Sequence, residues 1–250
     1  MTSQFIIALI FFFTSLVYST FGFGFAMISI PLLSLVLSPK TAIPLSLLMG
    51  LGIGFYLIIT SCRDIKPKQI LYLLIGSAIG VPFGVFILKN ISSEILEIAI
   101  NAVIITSAII LFLEQSKNII SVNTVNTKLI TILIGFLSGF LGASTGICGP
   151  PVILYGLNQK WEKKIFRSNL LTYFFIWRIY TNINYFFIGL VNFATFFKYI
   201  IPSSIGLIFG AISGKALCKI ISQEKYHKIC WILIIALAFF GIIKATIKTI

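Results

Sequence analysis

Acidic side chains are scarce in this sequence: 250 residues hold 6 Asp and Glu against 19 Lys and Arg, with one His. The acidic residues are Asp64, Glu94, Glu97, Glu114, Glu162 and Glu224, all in loops or at the ends of apolar segments. A proton relay built on carboxylates or imidazole therefore has no expected interior candidate. Cysteine is also sparse, and Cys62, Cys148, Cys218 and Cys230 show neither CxxC nor metal-ligand spacing, so no cofactor and no metal are expected. Charged residues of both signs make up only 10% of the chain, where a soluble domain carries roughly a quarter. A water-facing surface cannot be built from that inventory.

What is present is hydrocarbon. The chain is 58% hydrophobic, and no charge occurs from Thr2 to Pro39 or between Lys128 and Lys160. One crossing of a bilayer core of about 30 Å needs about 20 apolar residues. The first stretch has no basic n-region and no small-x-small cleavage site, so it is expected to stay as membrane helix rather than act as a removed secretion signal. Apolar segments fall at 5–21, 23–37, 42–61, 69–88, 94–113, 129–143, 150–158, 168–190, 197–214 and 229–248. The second and seventh are short and interrupted by Gly or Pro. The expected fold is an all-α polytopic membrane protein with about 8 spanning helices plus two short broken segments. Its localisation is a cell inner membrane, multi-pass. The basic excess lies mostly in short loops, where it sets topology, so nucleic acid is not an expected partner.

The polar stretch from Glu114 to Lys128 divides the chain into a first membrane repeat, 1–114, a linker, 115–128, and a second repeat, 129–250. Ser77-Ala-Ile-Gly80-Val-Pro-Phe83-Gly84 resembles Ser203-Ser-Ile-Gly206-Leu-Ile-Phe209-Gly210, and Lys40 with Ser46-Leu-Leu faces Lys163 with Asn169-Leu-Leu. Basic loops at 62–68, 159–167 and 215–228 belong inside by the retention of Lys and Arg on the cytoplasmic side. Lys40, Lys89 and Lys198 then lie near the outer face, while Lys244 and Lys248 count against the assignment. The counterpart of the basic loop 62–68 is the non-basic 191–197, on the opposite side. This makes the halves two inverted repeats, with a substrate site near mid-membrane between them.

Gly142-Ala-Ser144-Thr145-Gly146-Ile-Cys148-Gly149-Pro150-Pro151 cannot be drawn as one continuous helix. Broken backbone at membrane depth is tolerated where protein buries it or it lines a cavity. A new helix starting at the prolines presents free amides and a positive dipole end, suited to an anion. Ser144, Thr145, Gly146 and Gly149 are the candidate donors here. Ser19-Thr20-Phe-Gly22-Phe-Gly24, followed by Pro31, is the looser counterpart in the first half, with Ser19, Thr20, Gly22 and Gly24 as the opposite wall. The alternative is that Gly and Pro only permit packing or a kink. Arg178 is the single charge well inside an apolar segment, and a bound oxyanion or the lipid interface is its candidate partner. The glycine rows Gly76/Gly80/Gly84, Gly206/Gly210/Gly214 and Gly135/Gly139 are assigned to close helix packing.

The paired stretches Gly22-Phe-Gly24 to Pro31 and Gly142 to Pro151, above all Gly146-x-x-Gly-Pro-Pro151, resemble the sulfite exporter TauE/SafE family of membrane transporters. The likeness covers essentially the whole chain, although Phe23 and Phe25 interrupt a first-half stretch that is glycine-richer in the family. The resemblance implies a non-enzymatic exporter of a small anion such as sulfite or an organosulfur anion, working by alternating access, with substrate and lipid bilayer as partners. A homo-oligomer is left open. Two other classes compete: a non-transporting membrane assembly subunit, and a thiol–disulfide electron carrier. The carrier needs facing cysteines, and the internal alignment sets Cys148 against Ile28.

Overall fold

The computed structural model describes residues 2–61, 64–117, 127–191, 193–222 and residue 229. These form α1 (Thr2–Phe21), α2 (Phe25–Leu33), α3 (Pro39–Ser61), α4 (Pro67–Asn90), α5 (Ser93–Lys117), α6 (Thr127–Thr145), α7 (Gly149–Asn158), α8 (Lys163–Phe187) and α9 (Phe193–Ile220). No strand occurs among the described residues. The expected last segment, 229–248, lies outside them apart from Ile229. Helix occupies both ends of the expected linker, since α5 runs to Lys117 and α6 begins at Thr127.

Among the described residues, five helices are long and apolar enough to cross a membrane: Gln4–Phe21, Pro39–Thr60, Pro67–Asn90, Lys128–Thr145 and Tyr199–Ile220. At 25 residues, α8 is also long enough, at about 37 Å. Its Lys163, Lys164, Arg167 and Arg178 lower its hydropathy. The short α2 and α7 measure about 14 and 15 Å, roughly half the bilayer core. Apolar stripes cover the outside, among them Phe5, Leu9 and Phe13 on α1, Ile75, Ile79, Phe83 and Phe86 on α4, and Ile201, Ile205, Ile208 and Ile212 on α9. Such faces at helical spacing are stable only against lipid.

Two helix pairs are locked backbone to backbone. A Cβ at Gly76, Gly80 or Gly84 of α4 would collide with the carbonyls of Ile132, Phe136 and Phe140 on α6. On the other pair, a Cβ at Gly206, Gly210 or Gly214 of α9 would meet the carbonyls of Ala8, Phe12 and Leu16 on α1. Gly135 and Gly139 return the contact from α6 to Leu73 and Ser77. The glycine rows therefore pack helices, as small residues do in membranes. Side chains add cross-links: Ser15 donates to the Leu207 carbonyl at 2.6 Å, and Thr20 is 3.0 Å from the Gly214 carbonyl.

Contact order gives the directions. Numbers rise together along α1 with α9 and along α4 with α6, so each pair is parallel. In contrast α3 and α8 are antiparallel, with Gly50 against Arg178 and Gly54 against Phe175. Arg167, at the start of α8, donates from Nε to the Ser19 carbonyl near the end of α1 at 3.2 Å. Lys163 donates to the Cys218 carbonyl near the end of α9 at 2.9 Å and also to that of Ile221. Asn169 accepts from the Lys66 amide at 2.9 Å, just before α4. One end of the molecule thus gathers the ends of α1, α3 and α9 and the starts of α4 and α8. Lys66, Lys68, Lys160, Lys163, Lys164, Arg167, Lys215 and Lys219 belong to it. At the other end Lys40 donates to the Lys89 carbonyl at 3.3 Å, tying the start of α3 to the end of α4. Since α6 runs with α4, it runs opposite to α1.

Gly80→Ala and Gly210→Ala are each expected to lower stability by about 1–3 kcal/mol, because backbone must separate to admit the methyl group. Gly52→Ala, whose Cβ meets nothing within 4 Å, is expected to raise it by up to about 1 kcal/mol through helix propensity. Thermal unfolding of the three variants in detergent checks the contrast.

Candidate functional site

Glycine conformation breaks the chain at corresponding places in the two halves. α1 ends at Phe21, Gly22 takes φ 81° and Gly24 φ 92°, and α2 begins at Phe25. α6 ends at Thr145, Gly146 takes φ 80°, and α7 begins at Gly149. These left-handed values favour glycine, because a Cβ is strained there. The spacing that pairs Gly22 with Gly142 is therefore corrected: Gly146 is the turn residue equivalent to Gly22. Gly142 stays inside α6, where a Cβ would strike Cys148 and Trp177. Pro150 and Pro151 open α7, whereas Pro31 lies late in α2.

No side chain caps the start of α2 or of α7. An α-helix leaves its first amides without intrahelical partners. In α2 these are Phe25, Ala26 and Met27; in α7 Pro150 and Pro151 have no N–H, so Gly149, itself buried, carries the donor without an intrahelical partner. The two starts approach each other, with Met27 Sδ 3.4 Å from where a Gly149 Cβ would stand. Between them lies a cavity of about 20 Å³, walled by Gly24, Phe25 and Met27 from one break, Cys148 and Gly149 from the other, and Phe174 and Arg178 of α8. A single water needs about 10–15 Å³ of such volume. The space is narrow in this conformation, with room for about one water.

Arg178 is 3% exposed. Its Nη1 donates to the Tyr18 hydroxyl at 2.9 Å, and its guanidinium carbon stands 4.9 Å from the Tyr18 ring centroid and 5.3 Å from that of Phe25. Two aromatic faces offset part of the burial cost of the charge. No carboxylate pairs with it among the described residues, and its Nε has no hydrogen-bond partner. Gly50 admits the guanidinium: a Cβ there would lie 2.8 Å from Nε. Further buried polar atoms without partners lie on the same helix, namely Trp177 Nε1, Thr181 Oγ1 and Asn182 Oδ1.

Of the residues singled out from sequence, Gly24, Gly149 and Arg178 meet at the cavity. Gly22 and Gly146 make the turns, Gly22 being closed in by Arg167 and Gly146 by Ile30 and Ile43. The hydroxyls of Ser144 and Thr145 are spent on their own helix, donating to the Phe140 carbonyl at 2.9 Å and the Leu141 carbonyl at 2.7 Å. Thr20 bonds the Leu16 carbonyl at 2.8 Å, and Ser19 offers Arg167 its carbonyl while its hydroxyl stays unpartnered. Sequence reasoning missed Tyr18 and Phe25, whose only signal was an aromatic near each side of the glycine turn. It also missed Ser138, which donates to the Cys148 carbonyl at 2.6 Å and accepts from Tyr173 at 2.9 Å, holding the second break in place. Glu97 lies near a segment end, as the sequence places it, yet it is 8% exposed, and α5 contacts α2, α3, α6 and α7. Cys148 is buried and free, and by the turn register its counterpart is Gly24 rather than Ile28. Two larger hollows, of about 540 and 400 Å³, lie along α3 with apolar walls and no charged side chain.

Tyr18→Phe removes the acceptor of a buried cation and is expected to cost about 1.5–3 kcal/mol of stability. Tyr18→Leu, which also removes the ring, is expected to cost about 0.5–2 kcal/mol more. Denaturation of both variants in detergent separates the two contributions.

Over residues 7–241 the chain matches the family model described as sulfite exporter TauE/SafE. Neither a curated protein nor a solved structure gives a significant match. With a buried arginine facing two broken helices and a family match over nearly its whole length, the chain belongs to the sulfite exporter TauE/SafE family.

Proposed function

We propose that this chain exports a small anion, sulfite or an organosulfur anion, across an inner membrane by alternating access between two inverted repeats. The observation that carries the reading is Arg178: a buried cation with a free donor, no carboxylate partner among the described residues, and two uncapped helix starts at the same cavity. A charge at this depth is costly, and a bound anion is the partner that offsets it. Guanidinium supplies a planar fork of donors to an oxyanion. Helix starts add amides and partial positive charge.

The roles divide accordingly. Arg178 is the counter-charge, and the backbone at Gly24 and Gly149 contacts the solute. Gly22 and Gly146 fix the turns that aim the helix starts inward. Ser19, Thr20, Ser144 and Thr145 hold the adjoining helix ends. The first half offers the richer set of amides, because prolines silence two positions in α7. The reciprocal glycine packing of α1 on α9 and α4 on α6, with α1 and α6 running oppositely, supports repeats of inverted topology.

Flux measured in proteoliposomes against sulfite, sulfate, sulfonates and small carboxylates tests the reading. Arg178→Gln is expected to slow uptake of the transported anion roughly 10- to 100-fold, the worth of a hydrogen bond to a charged group. Wild-type flux from a well-inserted Arg178→Gln variant removes Arg178 from the site, and no flux of any anion by the purified parent chain favours the assembly-subunit role. The topology is tested separately: cysteines introduced at positions 65 and 194 are expected to react with an impermeant thiol reagent from opposite sides. Labelling from one side sinks the inverted arrangement.

A further inference from the structure

On the lipid-facing surface between α3 and α9 runs a groove of about 540 Å³, walled by Leu48, Ile53 and Tyr56 on one helix and Leu207, Ile208 and Ile212 on the other. Along α9 it reaches from Ile200 to Ile212, about 18 Å at helical rise, a little over half the hydrocarbon core. Gly52 opens it, for a Cβ there meets nothing within 4 Å. At the register that pairs Lys40 with Lys163, Phe175 stands in the place of Gly52, and it packs against Phe55 at 6.3 Å.

At the Tyr56 end of the groove stands Lys215, its Nζ 5.8 Å from the Tyr56 ring centroid. Among the described residues no hydrogen bond and no carboxylate answers that ammonium. Lys215 lies in the part of α9 that runs to the basic end of the molecule, where retention of Lys and Arg places the cytoplasmic leaflet. An apolar trough the length of one leaflet, ending in an unpaired cation, has two complementary halves in one kind of molecule.

We propose that this groove binds an anionic phospholipid, with one acyl chain laid over Gly52 between α3 and α9 and the phosphate held by Lys215. A free phosphate would leave the apolar trough empty. A zwitterionic lipid would fill the trough but bring its own cation to Lys215. The bound chain also backs the wall of the anion cavity, since Gly50 on α3 abuts Arg178. The inference needs α3 and α9 to meet lipid and is independent of which solute is carried.

Native mass spectrometry of the detergent-purified full chain, titrated with phosphatidylglycerol and phosphatidylcholine of matched acyl chains, tests it. Phosphatidylglycerol is expected to bind about fivefold more tightly, the contribution of one lysine near an anionic headgroup. Lys215→Gln is expected to erase that preference while keeping the acyl contact. Gly52→Phe is expected to weaken both lipids, and Gly52→Leu replaces it if the phenyl ring impairs folding, as read by thermal unfolding. Equal binding of the two lipids by the parent chain overturns the proposal, as does a preference retained in Lys215→Gln. Undiminished binding in a folded Gly52 variant overturns it too, and so does lipid-free protein that crosslinks to a second copy through Gly52→Cys.

Discussion

Inside a bilayer no water satisfies a polar group that the protein leaves unpaired, and the arrangement of this molecule follows from where that constraint is met and where it is not. Hydroxyls are used locally almost everywhere: Thr14, Thr20, Ser34, Ser144 and Thr145 bond carbonyls of their own helices. The second helix break is tied down by side-chain bonds, Ser138 to the Cys148 carbonyl and Tyr185 to the Ala143 carbonyl. Against that background the unpartnered atoms of Trp177, Arg178, Thr181 and Asn182 form a run along one helix. Leaving buried polar groups unmatched costs about 1–3 kcal/mol each. Elsewhere among the described residues such atoms are scattered singly, at Ser19, Asn101 and Ser203, so the run on α8 is the one place where they gather, and it is there that the proposed function puts a polar solute.

The same constraint explains why the two breaks resemble each other in backbone and differ in sequence. Both halves require a left-handed turn leading to a helix start aimed inward, and Gly22 and Gly146 supply it at φ 81° and 80°. Beyond the turn the halves diverge. The first offers three amides from Phe25 to Met27, and the second places prolines where amides would be, which fixes φ and starts the helix firmly. One side of the cavity is rich in donors and the other is rigid. Arg178, sandwiched near Tyr18 and Phe25, leans toward the donor-rich side.

Much of the fold was legible because hydropathy is a strong signal: the nine described helices fall on nine of the apolar segments. Packing by glycine rows was legible for the same reason, since spacing by four has one evident use in a membrane. Register was not. The match of Ser77–Gly84 to Ser203–Gly210 and the pairing of Gly22 with Gly142 both slip by one helical turn from the register in which Gly76 meets Ile132 as Gly206 meets Ala8, and from the turns at Gly22 and Gly146. Glycine repeated every fourth residue looks the same after such a slip, and only the backbone contacts choose. At the site, Arg178 was legible as a lone charge in an apolar run. The destinations of the serine and threonine hydroxyls were not, because a hydroxyl near a helix end bonds its own helix as readily as a ligand. The burial of Glu97 escaped because a segment end that lies at the surface in sequence terms is covered here by neighbouring helices.

A cavity of about 20 Å³ cannot admit an oxyanion, so the proposed cycle requires its walls to part, and the packing limits where. Parting α4 from α6, or α1 from α9, would break backbone contacts through which glycines interlock along three successive turns. In the proposed cycle those pairs would move as units. The α3–α8 boundary is different: it joins through Gly50, Gly54 and aromatic side chains, and hollows of about 540 and 400 Å³ flank α3. Displacing α3 toward either hollow needs no backbone to be forced through backbone. It would also withdraw Gly50 from Arg178 and give the guanidinium room to turn. This looser seam runs beside a buried cation that no described carboxylate answers, which is where the proposed cycle would open.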